Sequence, residues 1–157
     1  ENAVISGITS SDNDSKITLR NVPDIPGIAA KILSPISEAN IDIDVIVQNV
    51  ASDKLTDFTF TVKTENADKA VDILKKLTND FGGGEIELVK DISKVSVVGV
   101  GMRSHAGVAS QMFNALAEKK INIDMISTSE IKISVVVSRK KSKDAVAALH
   151  DAFNLGD

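Results

Sequence analysis

Cysteine, tryptophan and tyrosine are all absent from this chain of 157 residues. Without cysteine there are no disulfides, no thiolate nucleophile and no thiolate metal ligands. Five Phe residues leave few platforms for stacking nucleic-acid bases. The two histidines, His105 and His150, stand far apart, and neither a His-Glu-x-x-His pattern nor a histidine cluster occurs. Basic residues are too few to coat a polyanion: 18 Lys and Arg against 22 Asp and Glu give a net charge of −4. Neutralising phosphates needs clustered Lys and Arg, so no nucleic-acid partner is expected. No apolar run approaches the ~18 residues of a membrane span, and no signal peptide is visible. A cytoplasmic chain with no membrane partner is expected. The chain starts at Glu1 rather than Met, so a fragment or a processed product is expected.

What the chain does have is 43% hydrophobic residues, enough for a packed core. Its length suits one ordinary domain or two very small ones. An internal repeat favours two. With Gly27 set on Gly107, an offset of 80, Ile17 meets Val97, Ile28 meets Val108, Ile32 meets Met112 and Ile36 meets Leu116. Ile41, Ile43, Asp44 and Ile46 then meet Ile121, Ile123, Asp124 and Ile126. Later the offset falls to 75, where Ala70 meets Ala145 and Leu74 meets Leu149, so the second copy has a shorter connection.

Each copy reads alike. In the first, 16–22 is a strand and 27–39 a helix with its apolar stripe at Ile28, Ile32, Leu33 and Ile36. Strands at 42–50 and 57–63, a helix at 66–77 and a strand at 84–89 complete the order βαββαβ, the split ferredoxin-like unit. Pro35 should kink the first helix, because it removes a hydrogen-bond donor. The second copy supplies elements at 94–100, 107–119, 122–129, 131–138 and 143–153, and then lacks a fourth strand. Residues 3–8 form a spare strand ahead of the first copy. Filling the vacant edge with it removes an unpaired edge. The fold class expected is α+β, two ferredoxin-like units with antiparallel sheets, the second completed by the N-terminal strand. The domains expected are 14–91, inserted, and 1–13 plus 92–157, discontinuous.

Motifs for chemistry are weak. Gly99-Val-Gly101 follows a strand and precedes a helix, as in a dinucleotide-binding turn. Ser104 replaces the third glycine, and the first copy has Leu19 and Asn21 at the matching places. The Gly82-Gly83-Gly84 run lacks the Gly-Lys-Ser/Thr of a phosphate loop and reads as a flexible lead into the fourth strand. Asp42, Asp44, Asp91, Asp124 and Glu130 are scattered and supply no metal-ligand set. No catalytic residues, no metal and no cofactor are expected.

The loop Asn21-Val-Pro-Asp-Ile-Pro-Gly27 is more informative. Pro26 suits the first position of a helix, and Gly27 allows close approach of the backbone. Free amides at a positive helix end suit a carboxylate, and Asp24 suits an ammonium or a hydroxyl. A ligand with both groups is an amino acid; a plain capped helix start is the other reading. The second copy, Met102-Arg-Ser-His-Ala-Gly107, lacks both prolines and has Ser104 in place of Asp24.

Tandem βαββαβ units with Pro-Asp-Ile-Pro-Gly-Ile in the first and Ser-His-Ala-Gly-Val in the second resemble paired ACT domains. Asn40-Ile-Asp-Ile-Asp-Val-Ile-Val-Gln-Asn49, Val98-Gly-Val-Gly-Met102 and Asn122-Ile-Asp-Met-Ile-Ser-Thr-Ser-Glu130 resemble the regulatory region of aspartate kinase across essentially the whole chain. The resemblance implies feedback inhibition by threonine, lysine or both, with effectors bound where the first domain of one chain meets the second domain of its partner. It places Asp24, Gly27, Ile28, Ala29, Ile41 and Gln48 in a threonine site, with Asn122 and Ile123 from the partner chain. For lysine it suggests Asp44, Met102, Ser104, Ser129 and Glu130. A homodimer through the ACT domains is implied, and a catalytic domain or α subunit as the controlled part. A free-standing ACT-type sensor controlling another protein is the alternative, and a small nucleotide-dependent enzyme using Gly99 and Gly101 a third.

Overall fold

Two alternating periods, two for strands and 3.6 for helices, follow one another along the chain. The computed structural model describes residues 4–50, 53–100 and 105–154. The order is β1 (Val4–Ser11), β2 (Asp14–Pro23), α1 (Ile28–Glu38), β3 (Ile43–Val50), β4 (Leu55–Lys63), α2 (Thr64–Phe81), β5 (Glu85–Val89), β6 (Ile92–Val100), α3 (His105–Glu118), β7 (Met125–Thr128), β8 (Lys132–Ser138) and α4 (Ser142–Ala152). One 3-10 turn, Arg139–Lys141, leads into α4. The chain divides into two compact units: Asn13–Lys90, and the residues up to Asp12 together with Asp91 onward.

The first unit has one sheet in the order β3-β4-β2-β5, with every neighbour antiparallel. Ile17 and Leu19 on β2 and Phe58, Phe60 and Val62 on β4 alternate onto one face. Ile28, Ile32 and Ile36 recur every fourth residue on α1, and Ala67, Ala70 and Leu74 line α2. Both stripes close over the same sheet face as a single core. Pro35 sits inside α1, yet the helix continues to Glu38. α2 runs longer than its apolar stripe, from Thr64 to Phe81. Gly82, at φ 78, closes it, and the Gly83 amide donates to the Thr78 carbonyl at 3.0 Å. The glycine run is therefore a left-handed helix cap first and a lead into β5 second.

The second unit repeats this arrangement as β1-β6-β8-β7. β1 occupies the place of the missing fourth strand, paired antiparallel with β6 from Val4↔Val100 to Ser11↔Lys94. Ile5 and Ile8 of β1 pack against a core that includes Val95, Val97, Met112, Leu116, Ile133, Val135, Val137 and Leu149. The discontinuity thus has a simple cause: an open edge beside β6 is covered by the chain's own N-terminal strand. The second strand of this copy is shorter than its periodicity suggests. β7 spans only Met125–Thr128, so Asn122 and Ile123 lie in the connection before it.

One ion pair links β2 to β5: Arg20 Nη1 lies 2.6 Å from Glu87 Oε2. The guanidinium, through its hydrogen bond first and its charge second, holds the Glu87 carboxyl below its ordinary value of 4.5. A depressed carboxylate contributes stability above the ordinary value, and loses it as pH falls through the lower folded value. Both side chains are exposed, so the contribution is small and screened by salt. Glu87→Gln should make the chain's urea midpoint less sensitive to acidification below about pH 4.5. An unchanged pH profile would show that the pair adds nothing.

Candidate functional site

The end of β2 is bent by a bulge. Pairing with β4 runs regularly to Leu19↔Phe58 and resumes at Val22↔Thr56, so one extra residue sits on β2. Asn21 takes it up at φ 61, a left-handed conformation that Asn tolerates better than most residues. Its amide, displaced from the ladder, donates to Asp57 Oδ1 at 2.9 Å. Pro23 then pairs with Leu55, and the Asp24 amide donates to the Lys54 carbonyl at 2.9 Å. The start of β4 therefore holds residues 21–24 at successive points. In the second unit, β6 pairs with β8 without interruption from Ile92↔Ser138 to Val98↔Lys132.

Between Ile25 and Ile28 the chain makes a tight turn, closed by the Ile28 amide donating to the Ile25 carbonyl at 3.2 Å. Gly27 has φ 87 and ψ 0, the third-position geometry of a type II turn, with Pro26 ahead of it where proline is favoured. This corrects the sequence expectation for Pro26: it precedes the helix cap and does not open the helix. Gly27 is the cap, and its carbonyl accepts from the Lys31 amide at 3.0 Å. The Ile28 amide is spent in the turn. The amides of Gly27, Ala29 and Ala30 have no partner among the described residues. Asp24 is exposed, Ala29 half-buried and the Ile28 side chain part of the core.

The edge strand β3 reaches the same end. Val22, Thr56 and Val50 form one row across β2, β4 and β3, a span of about 10 Å at the usual strand spacing. Gln48 stands opposite Phe58 and therefore on the helix-covered face, but at the open edge and exposed. Ile46 and Val50 are 49% and 77% exposed on this edge strand. Asp24, Gly27, Ala29 and Gln48 are thus gathered at one end of the first unit, the N-terminal end of α1.

Ile41 is not gathered there. It is buried in the core, and its amide donates to the Ile36 carbonyl at 3.2 Å, beyond the other end of α1. A helix of 11 residues puts those ends about 16 Å apart. Asp44 is exposed on β3. Asn122, exposed, and Ile123, packed against the second core, belong to the second unit. So do Ser129 and Glu130, both exposed in the turn between β7 and β8, where the Ser129 amide donates to the Lys132 carbonyl at 2.7 Å. Met102, Ser104 and Gly101 lie outside the described residues. The Gly99 amide donates to the Ile131 carbonyl at 2.8 Å, so it is not open to a phosphate. Among the described residues, no three His, Cys, Asp or Glu side chains stand together as a metal site, and no helix is long and apolar enough to cross a membrane.

Three supporting residues escape a reading of the sequence: Lys54, Thr56 and Asp57. Their only local signal is that they are polar residues just ahead of the Phe58-Thr-Phe60 alternation. Their roles depend on a bulged register between strands far apart in sequence.

Both units match the ACT domain family, over residues 17–79 and 95–153. The chain is 57% identical to an aspartokinase of Pseudomonas aeruginosa over 155 residues, covering 99% of this chain and 38% of that protein. It thus spans well under half the length of the curated relatives it matches. A solved structure of aspartokinase alpha and beta subunits superposes with a TM-score of 0.89 at 44% identity, covering 96% of this chain and 99% of that one. The ligand-free regulatory subunit of aspartate kinase from Thermus thermophilus gives 0.90 at 39% identity, again with 96% and 99% covered. Two ACT-domain matches and similarity in sequence and structure to these regulatory subunits over nearly their whole length show that this chain belongs to the ACT-domain regulatory subunits and regions of the aspartate kinase family.

Proposed function

We propose that this chain senses threonine, lysine or both on behalf of an aspartate kinase, and mediates feedback inhibition of the biosynthetic route that starts from aspartate. The observation that carries this reading is the loop ahead of α1. It offers the unpartnered amides of Gly27, Ala29 and Ala30 at a positive helix end, with the exposed carboxylate of Asp24 three residues before Gly27. A free amino acid carries the complement: a carboxylate for the amides and an ammonium for Asp24. Gln48 meets the ammonium or a side-chain hydroxyl.

In this reading the first ACT domain, 14–91, is inserted in a second one formed by 1–13 and 92–157. Two chains form a cytoplasmic homodimer in which the first domain of each meets the second domain of the other. Asn122 and Ile123 of the partner would then complete the threonine site. Asp44, Met102, Ser104, Ser129 and Glu130 would serve lysine. The catalytic domain or α subunit is the controlled part. An effector can shift its activity only by binding two conformations with different affinity.

Calorimetry on the chain with threonine, with lysine and with a dinucleotide tests the reading. Heat is expected from at least one amino acid and none from the dinucleotide. Binding of the dinucleotide alone would replace this reading by a nucleotide-dependent one. Light scattering with effector present should give twice the chain mass, and a monomer at high concentration would remove the shared-site arrangement.

A further inference from the structure

Thr56 stands opposite Val22 on β2 and opposite Val50 on β3, and it is fully buried. Its hydroxyl makes two bonds, both toward the edge strand. Thr56 Oγ1 donates to the Asn49 carbonyl at 2.8 Å, and Gln48 Nε2 donates to Thr56 Oγ1 at 3.2 Å. A hydroxyl has one proton to give. With that proton committed to Asn49, Thr56 meets Gln48 only as an acceptor. The Gln48 carboxamide must then turn its nitrogen toward Thr56, which leaves its oxygen as the free end.

We infer that Thr56 is a positioning residue of the effector site, fixing Gln48 so that the oxygen end of the carboxamide, an acceptor, turns toward the ligand. This inference rests on the proposed function and sharpens it. An acceptor at this place selects the ammonium or hydroxyl of an amino acid and leaves its carboxylate to the amides of the α1 loop. One buried hydroxyl thereby sets the direction in which the ligand lies.

The test compares Thr56→Val, which removes the hydroxyl at nearly constant volume, with Thr56→Ser, which keeps it. Titrated with threonine and lysine, Thr56→Val should bind about fivefold more weakly and Thr56→Ser like the parent. Gln48→Ala should lose about a decade, and adding Thr56→Val to it should cost nothing more, because the effect passes through Gln48. A loss from Thr56→Val that persists undiminished in the Gln48→Ala background would mark a merely structural threonine and overturn the inference. A second measurement uses the unmutated chain: NMR exchange of the Gln48 side-chain amide protons, assigned by their loss in Gln48→Ala. Slower exchange than at exposed asparagine side chains is expected, and equal exchange would overturn the inference. A parent that binds neither amino acid defeats the proposed function. A parent that binds, with Thr56→Val indifferent, defeats this inference alone.

Discussion

Replacing Asp24 by alanine should weaken binding of threonine or lysine by tenfold or more. A hydrogen bond to a charged group contributes roughly 1.5–3 kcal/mol, and about 1.4 kcal/mol is one decade of affinity. The fold should not change. Asp24 is exposed, and its one structural bond, to the Lys54 carbonyl, comes from the backbone amide that alanine retains. Asp24→Asn keeps an acceptor but loses the charge, so it should fall between parent and alanine. In a complete kinase the same substitutions should relieve inhibition, since the effector loses part of its preference for the inhibited conformation. Calorimetry gives the affinities, and inhibition curves on the full enzyme give the linkage. If Asp24→Ala binds both amino acids as the parent does, the loop is only a helix start and the ligand sits elsewhere.

Deleting the first eleven residues should unfold or aggregate the second unit. β1 would be lost, and with it the whole ladder from Val4↔Val100 to Ser11↔Lys94. Ile5 and Ile8 would leave the second core, and burying such side chains is worth about 1.5–3 kcal/mol each when complete. The bond from Ser93 Oγ to the Ser11 carbonyl would go as well. Against a net domain stability of about 5–15 kcal/mol, these losses are decisive. The newly bare edge of β6 would also invite pairing with other chains. Hydrogen exchange should show loss of amide protection across β6 and β8, with light scattering rising in parallel. A synthetic peptide of residues 1–11 should restore protection. Unaltered protection in the truncated chain would mean that β1 is dispensable to this sheet.

The sequence alone was enough for the repeat, the βαββαβ order and the use of the N-terminal strand as the missing edge. The reason is that these rest on local periods and on counting. Ile28, Ile32 and Ile36 mark a helix wherever they fold, and only three strands after β5 leave one place to fill in the second sheet. The helix start at the Asp24 loop was legible for the same reason, because proline and glycine act on the backbone beside them. Tertiary structure alone decided the rest. The extra residue between Leu19 and Val22 has no sequence signature, yet it sets which side chain of β4 meets which group of β2. That register puts Asp57 under the Asn21 amide and Thr56 against Gln48. The length of α1 separates Ile41 from Asp24, since they lie beyond its opposite ends. Pro26 looked like a helix opener because both roles need the same φ; only the closed turn from Ile25 to Ile28 distinguishes them. Cross-strand register depends on contacts between residues distant in sequence, and a single bulge shifts every pairing beyond it.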